Sequence, residues 1–133
     1  LCQRFHISPT KVLLPLSYAA IFGGTLTEDI PTLIPGAVDH GTFNGKYSVH
    51  KVKIEKASKL FNILGVESAS VASTHHQCVN RLGDNIVPVA RSSDGVVEAI
   101  EIENQKNFIG VQWHPELIKQ RKETKKLFSW LLS

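Results

Sequence analysis

The order of apolar and polar positions divides the chain into strands and helices of different length. Residues 11 to 22, KVLLPLSYAAIF, are nearly all apolar, with Pro15 in the middle. Proline inside a helix removes a donor and clashes with the preceding turn, so helix is expected only in the second half of this run. Gly23-Gly24 then ends it, as a glycine C-cap does. Residues 27 to 46 hold two prolines and three glycines and read as a surface loop without regular structure. Over residues 47 to 55, Val52 and Ile54 face one way and Lys51 and Lys53 the other, which is a strand with one wet face. ASKLFNIL, residues 57 to 64, places Leu60, Phe61 and Leu64 at helical spacing. Residues 68 to 73 read as a strand of small residues, and HHQCVNRL after it as a turn or one helical turn.

Residues 86 to 91 and 96 to 102 flank Ser92-Ser93-Asp94-Gly95. Asp-Gly between two β-branched runs is a hairpin signal. Residues 107 to 113 form a further strand after a polar turn, so three antiparallel strands lie in series. The final segment, residues 117 to 132, is a helix with Leu127, Phe128 and Leu131 on one stripe.

Composition narrows the class without naming a function. A chain of 133 residues, 42% hydrophobic and 20% charged, has the make-up of one globular domain or part of one. A net charge of +3 gives no concentrated basic stripe of the kind nucleic-acid proteins carry. Lys119, Arg121, Lys122, Lys125 and Lys126 read as the solvated face of the last helix. No 18-residue apolar run is present, so no membrane span is expected. Two widely separated cysteines, Cys2 and Cys78, make neither a disulfide framework nor a zinc-ribbon spacing, and reduced thiols in a cytoplasmic protein are the simplest reading.

Candidate chemistry gathers where the last strand ends, at FIGVQWHPEL. Pro115 keeps His114 extended, and residues two apart in extended chain share a side. Glu116 therefore lies beside His114. A carboxylate next to an imidazole fixes its tautomer and stabilises the imidazolium, which is the base-and-orienter half of a nucleophilic triad. The same spacing also suits a plain surface pair. A metal site from His75, His76, His114 and Cys78 is not expected, because neighbouring histidines in extended chain point apart. His6 lies in the N-terminal stretch, His40 in a polar loop, and His50 on a strand reads as packed.

GVQWHPE at 110 to 116 resembles the His-Glu signature of the Cys-His-Glu glutamine amidotransferases. Gly23-Gly24-Thr25-Leu26 with Asp29-Ile30, Ser73-Thr74-His75-His76-Gln77, and the hairpin from Asp94 to Glu101 resemble elements of the γ-glutamyl-γ-aminobutyrate hydrolase family, in the same order. Ala72 stands where that family usually has asparagine. The resemblance covers residues 23 to 132 and leaves 1 to 22 unmatched. It implies an α/β fold: an incomplete doubly wound, flavodoxin-like domain with an antiparallel C-terminal sheet portion. It also implies hydrolysis of a γ-glutamyl amide through a thioester, with His114 as base and Glu116 as orienter, and with no cofactor. Ser73, His75, His76 and Gln77 would line the substrate side.

Counting back from Gly23 by the family's interval puts the nucleophilic cysteine at Val12, within Val12-Leu13-Leu14. Neither thiol nor glycine stands in that expected elbow. Cys2 is too early, and Cys78 reads as a small buried hydrophobe. The first strands of such a sheet and its oxyanion-hole segment come from an N-terminal stretch of roughly a hundred residues, not found here. A truncated or frame-shifted gene copy and an evolved loss of activity both fit. The expectation is a hydrolase-like chain without activity, or a non-catalytic binding or scaffold remnant, able to associate with a second copy through an exposed sheet edge.

Overall fold

The computed structural model describes residues 11–15, 23–41 and 46–133. In chain order they form β1 (Val12–Pro15), β2 (Thr25–Thr27), α1 (Ile30–Leu33), β3 (Ser48–Ile54), α2 (Lys59–Leu64), β4 (Ser68–Ser73), β5 (Cys78–Arg81), β6 (Ile86–Ser92), β7 (Val97–Ile102), β8 (Phe108–Val111), a 3₁₀ helix (Pro115–Ile118) and α3 (Lys122–Leu132). Six strands make one sheet in the order β1-β8-β7-β6-β3-β4, and β2 with β5 makes a separate ribbon. β1 and β8 run parallel, and the other pairs are antiparallel. The α/β class expected from sequence is the one that forms, and β6, β7 and β8 lie in series as the hairpin signal requires.

The alternation in β3 is realised residue by residue. Val49, Lys51 and Lys53 are exposed, while Val52 and Ile54 are buried. These two join Ala69, Val71, Ala99, Ile109 and Val111 in a core against Leu60 and Leu64 of α2 and Leu127 of α3. α2 is well terminated at both ends. The Ser58 hydroxyl accepts from the Phe61 N–H at 3.0 Å, and Gly65 at φ +72° closes the helix with its N–H on the Phe61 carbonyl. Lys126 of α3 donates to the Leu64 carbonyl at 2.9 Å and so ties the two helices at a point where unpaired carbonyls collect. A second cluster joins Leu26, Val79 and Leu82 of the ribbon side to Ile86, Val97, Ile100 and Phe108 of the sheet.

Three expectations change, and a fourth lies outside the described residues. The stretch HHQCVNRL is not a helical turn: residues 78–81 are β5, which pairs with β2 more than fifty residues earlier. That pairing is non-local, and four residues are too few to show a period. The loop over 27 to 46 contains α1, with Asp29 as N-cap and Pro31 in its first turn. The helix expected from 117 is two pieces, and Pro115 and Glu116 belong to the 3₁₀ helix rather than to extended chain. The start of the 11 to 22 run is a strand, while the helix expected in its second half lies outside the described residues, as do Cys2 and His6.

Candidate functional site

β8 carries the chain to His114, and the 3₁₀ helix turns it away. His114 caps that helix with φ −110° and ψ 87°. Its N–H donates to the Ala72 carbonyl at the end of β4, at 2.8 Å. The backbone of His114 is therefore pinned between two elements while its ring stays accessible. Nδ1 lies 2.7 Å from Oε1 of Glu116, with the two side chains 42% and 54% exposed. The pair is formed by the turn of the 3₁₀ helix, not by the strand spacing from which it was expected. A carboxylate on Nδ1 leaves Nε2 as the nitrogen able to take a proton.

A cleft of about 220 Å³ is lined by Leu26, Thr74, His75, His76, Gln77, Cys78 and Gln112. Gln112 stands two residues before His114. Of the residues expected on the substrate side, Gln77 is exposed and His76 is 35% exposed, with Nδ1 3.5 Å from Asp29. Thr32 chiefly, with help from His76, holds the Asp29 carboxyl below its usual range. Ser73 is fully buried opposite Ser48 and offers a ligand no surface. His75 turns its ring inward, with a side chain only 8% exposed. A larger groove of about 790 Å³, bordered by Leu33, Arg81 and Arg91, includes none of the expected residues.

Val12 sits inside β1, paired with Phe108 six residues before His114. At about 3.3 Å per residue, this separates it from His114 by on the order of 15–20 Å along the sheet. Cys78 is the cysteine among the described residues, buried against Ile30 and Val96. Burial pushes its thiol pKa up, which is opposite to what a nucleophilic thiol needs.

Sequence reasoning missed a cluster beneath the cleft. His40, His50 and His75 gather around Glu98, which is completely buried. His40 donates through Nε2 to Asp94 at 2.7 Å. Burial works against its charge, but Glu98 and Asp94 outweigh it and raise the His40 pKa. Burial likewise pushes Asp94 up, but Ser92, His40 and the N–H groups of Val38 and Val96 hold it down at about 2. Glu98 is lowered despite its burial, through His40 and His75. A glutamate within the apolar run VVEAIEI was the available signal, since carboxylates are almost never fully buried unless paired.

The family model for Peptidase C26 matches residues 18–116, about three quarters of the chain. The chain belongs to this family. A Rickettsia prowazekii protein, provisionally described as glutamine amidotransferase-like, is 43% identical over 84 residues, covering 62% of this chain and 30% of that protein. The γ-glutamyl-γ-aminobutyrate hydrolase of Escherichia coli is 37% identical over 68 residues, covering 50% of this chain and 27% of the hydrolase. The chain thus spans less than half the length of these relatives. Among solved structures, a Thermoplasma acidophilum protein provisionally described as part of a GMP synthase matches with TM-score 0.67 at 16% identity, over 90% of this chain and 53% of that one. The Peptidase C26 chain therefore has a glutamine amidotransferase fold, present as the incomplete flavodoxin-like domain expected from its motifs. Among the described residues no helix is long and apolar enough to cross a membrane.

Proposed function

We infer that this chain carries the acid–base half of a γ-glutamyl amide hydrolase site and does not turn its substrate over. The observation that carries the reading is the 2.7 Å contact between His114 Nδ1 and Glu116, two residues beyond Gln112 of the cleft wall. His114 is the general base through Nε2, and Glu116 fixes its tautomer. Attack on the amide carbon needs a thiolate within hydrogen-bond reach of that nitrogen. Val12 supplies none, Cys78 is a packed thiol, and the segment from Gln3 to Gln77 contains no cysteine.

The test is glutamate release from γ-glutamyl-p-nitroanilide and from γ-glutamyl-γ-aminobutyrate. The expected rate equals that of buffer. Release that disappears in His114→Ala would establish a working nucleophile and overturn the inactivity. A second reading is a binding remnant of the family, favoured by the exposure of His76 and Gln77 at the cleft. It expects γ-glutamyl-γ-aminobutyrate to raise the melting temperature of the chain and His76→Ala to weaken that effect. A melting temperature indifferent to the ligand removes this second reading.

Two accompanying proposals concern the setting. The unpaired Cys78 thiol supports a reducing, cytoplasmic location. Among the described residues β1 has no strand on its outer side, which supports pairing with a second copy there. Light scattering during size exclusion is expected to give a dimer mass, and a monomer across the micromolar range counts against it.

A further inference from the structure

The cluster beneath the cleft poses a proton problem. His50 Nδ1 is 3.2 Å from the Lys51 carbonyl, and His75 Nδ1 is 2.9 Å from the Gln77 carbonyl. Carbonyl oxygens only accept, so each of these nitrogens carries the proton. His40 Nε2 faces Asp94, whose oxygens also receive the Ser92 hydroxyl and the N–H groups of Val38 and Val96. That carboxylate is an acceptor surrounded by donors, so His40 also gives its proton outward. In three neutral imidazoles the inward nitrogens are then bare lone pairs: His40 Nδ1, His50 Nε2 and His75 Nε2.

These three lone pairs converge on the carboxylate of Glu98. Oε1 lies 3.1 Å from His40 Nδ1, 3.4 Å from His50 Nε2 and 3.5 Å from His75 Nε2. None of the three contacts has hydrogen-bond geometry, and both oxygens of Glu98 lack a hydrogen-bond partner. Protonating all three rings would place three cations with ring centroids 4.7 and 4.8 Å apart in a buried site, at a high desolvation cost. Leaving all three neutral buries an anion facing lone pairs. A proton on His40 alone would serve Oε1 and still leave the His50 and His75 lone pairs facing the carboxylate and Oε2 without a donor. One divalent cation resolves all three cases.

We propose that His40 Nδ1, His50 Nε2, His75 Nε2 and Glu98 Oε1 form a structural binding site for a divalent transition-metal ion of the zinc class. The four ligand atoms lie within 4.8 Å of one another. A tetrahedral ion with bonds of about 2.0–2.1 Å holds its ligand atoms roughly 3.3 Å apart, and the oxygen-to-nitrogen separations already match that edge. Three imidazoles and a carboxylate suit zinc over calcium or magnesium, which take oxygen donors. The outward partners are those a metal-bound histidine uses, with Asp94 on His40 and backbone carbonyls on the other two. The ligands come from the loop before residue 41, β3, the segment after β4, and β7, so the ion ties four distant parts of the chain. With four protein ligands and side chains 0–8% exposed, the site is closed and its role is folding, not catalysis. Of the histidines weighed from sequence, His75 joins the cluster, while His76 turns to Asp29 and His114 to Glu116.

The test uses the untagged chain, purified once as obtained and once after dialysis against a chelator. Elemental analysis is expected to give about one zinc per chain before chelation. The chelated chain is expected to melt at lower temperature and to recover with ZnCl₂. CoCl₂ is expected to give the visible absorption of tetrahedral cobalt without a thiolate charge-transfer band. Glu98→Gln and His50→Ala are expected to weaken zinc binding by at least about 100-fold, and Asp94→Asn by roughly 10–100-fold. His76→Ala, next in sequence to a ligand but outside the cluster, is expected to bind normally. If the ligand variants fail to fold, zinc content and the cobalt spectrum of the unmodified chain decide. A chain that carries no metal and whose melting ignores zinc, cobalt, nickel and manganese chlorides overturns the proposal. So does zinc that survives Glu98→Gln with unchanged affinity, or a cobalt–thiolate band, which would place the ion at Cys78.

Discussion

Gly41→Ala tests how the loop before β3 is held against the end of β4. Gly41 adopts φ +102°, and a Cβ built there would stand 2.3 Å from the Ser73 carbonyl oxygen and 2.5 Å from the Thr74 Cα. Both neighbours are backbone, so no side chain can swing away. The His75 N–H donates to the His40 carbonyl at 2.9 Å and clamps the same two segments together. The left-handed backbone alone costs an alanine about 1–2 kcal/mol. Relieving an overlap of about 1 Å by moving the loop adds roughly 1–3 kcal/mol, as overpacking does. Gly36→Ala is the control, since Gly36 has φ +71° and nothing within 4 Å of its Cβ position. It bears the backbone term alone. For a chain this size, roughly 3–5 °C of melting temperature corresponds to 1 kcal/mol. Gly41→Ala is therefore expected to melt roughly 3–15 °C below Gly36→Ala, measured by circular dichroism at one pH and one metal condition. Equal melting temperatures for the two variants would refute the close approach. They would also remove the reason His40 sits beside His75.

Three further substitutions test the core and the caps. Leu127→Ala removes a side chain that is 1% exposed between α3 and the sheet, and urea unfolding is expected to show a loss of about 2–5 kcal/mol. Ser58→Ala deletes the hydroxyl that receives the Phe61 N–H and donates to the Glu55 carbonyl at 2.6 Å, at an expected cost of about 1–2 kcal/mol in urea unfolding. Glu101→Ala strands the buried Leu60 N–H, which now donates to Oε1 at 2.9 Å; a loss of about 1–3 kcal/mol is expected, largely restored by Glu101→Gln.

Strands with a clean period were readable because one physical fact, a single buried face, repeats along them. β3 shows this at Val52 and Ile54, and the Asp94-Gly95 turn announced the β6–β7 hairpin, with Gly95 at φ +86°. The β2–β5 ribbon could not be read that way. It joins Thr25–Thr27 to Cys78–Arg81, and nothing local records a partner fifty residues away. The His114–Glu116 pair was legible from spacing, although a 3₁₀ turn brings the groups together. The histidine cluster was not legible. His40 and His50 each read as an ordinary isolated residue and His75 as a substrate-side one, and only the fold gives them Glu98 in common. Ser73 shows the reverse limit: its motif suggests a ligand contact, and burial removes its access.

The proposed lack of a nucleophile does not depend on Val12 alone. In sheets with parallel strands, reacting groups collect beyond the C-terminal ends of those strands. β1 and β8 run parallel, with Pro15 level with Val111, so both point their ends toward the side of His114. A nucleophile elbow belongs at the turn after such a strand, not within it. Val12 lies within β1, paired with Phe108 well back along the sheet. The residues that follow β1 in sequence, Leu16-Ser17-Tyr18, carry no sulfur either. The inference thus rests on a whole segment without a thiol, and a shift of a few residues in the counting leaves it unchanged. Replacing Val12 with cysteine is expected to restore no glutamate release, because its strand position keeps the sulfur far from Nε2 of His114. Release by Val12→Cys would show that β1 slides along β8 by several residues, and the parallel register would fall with it.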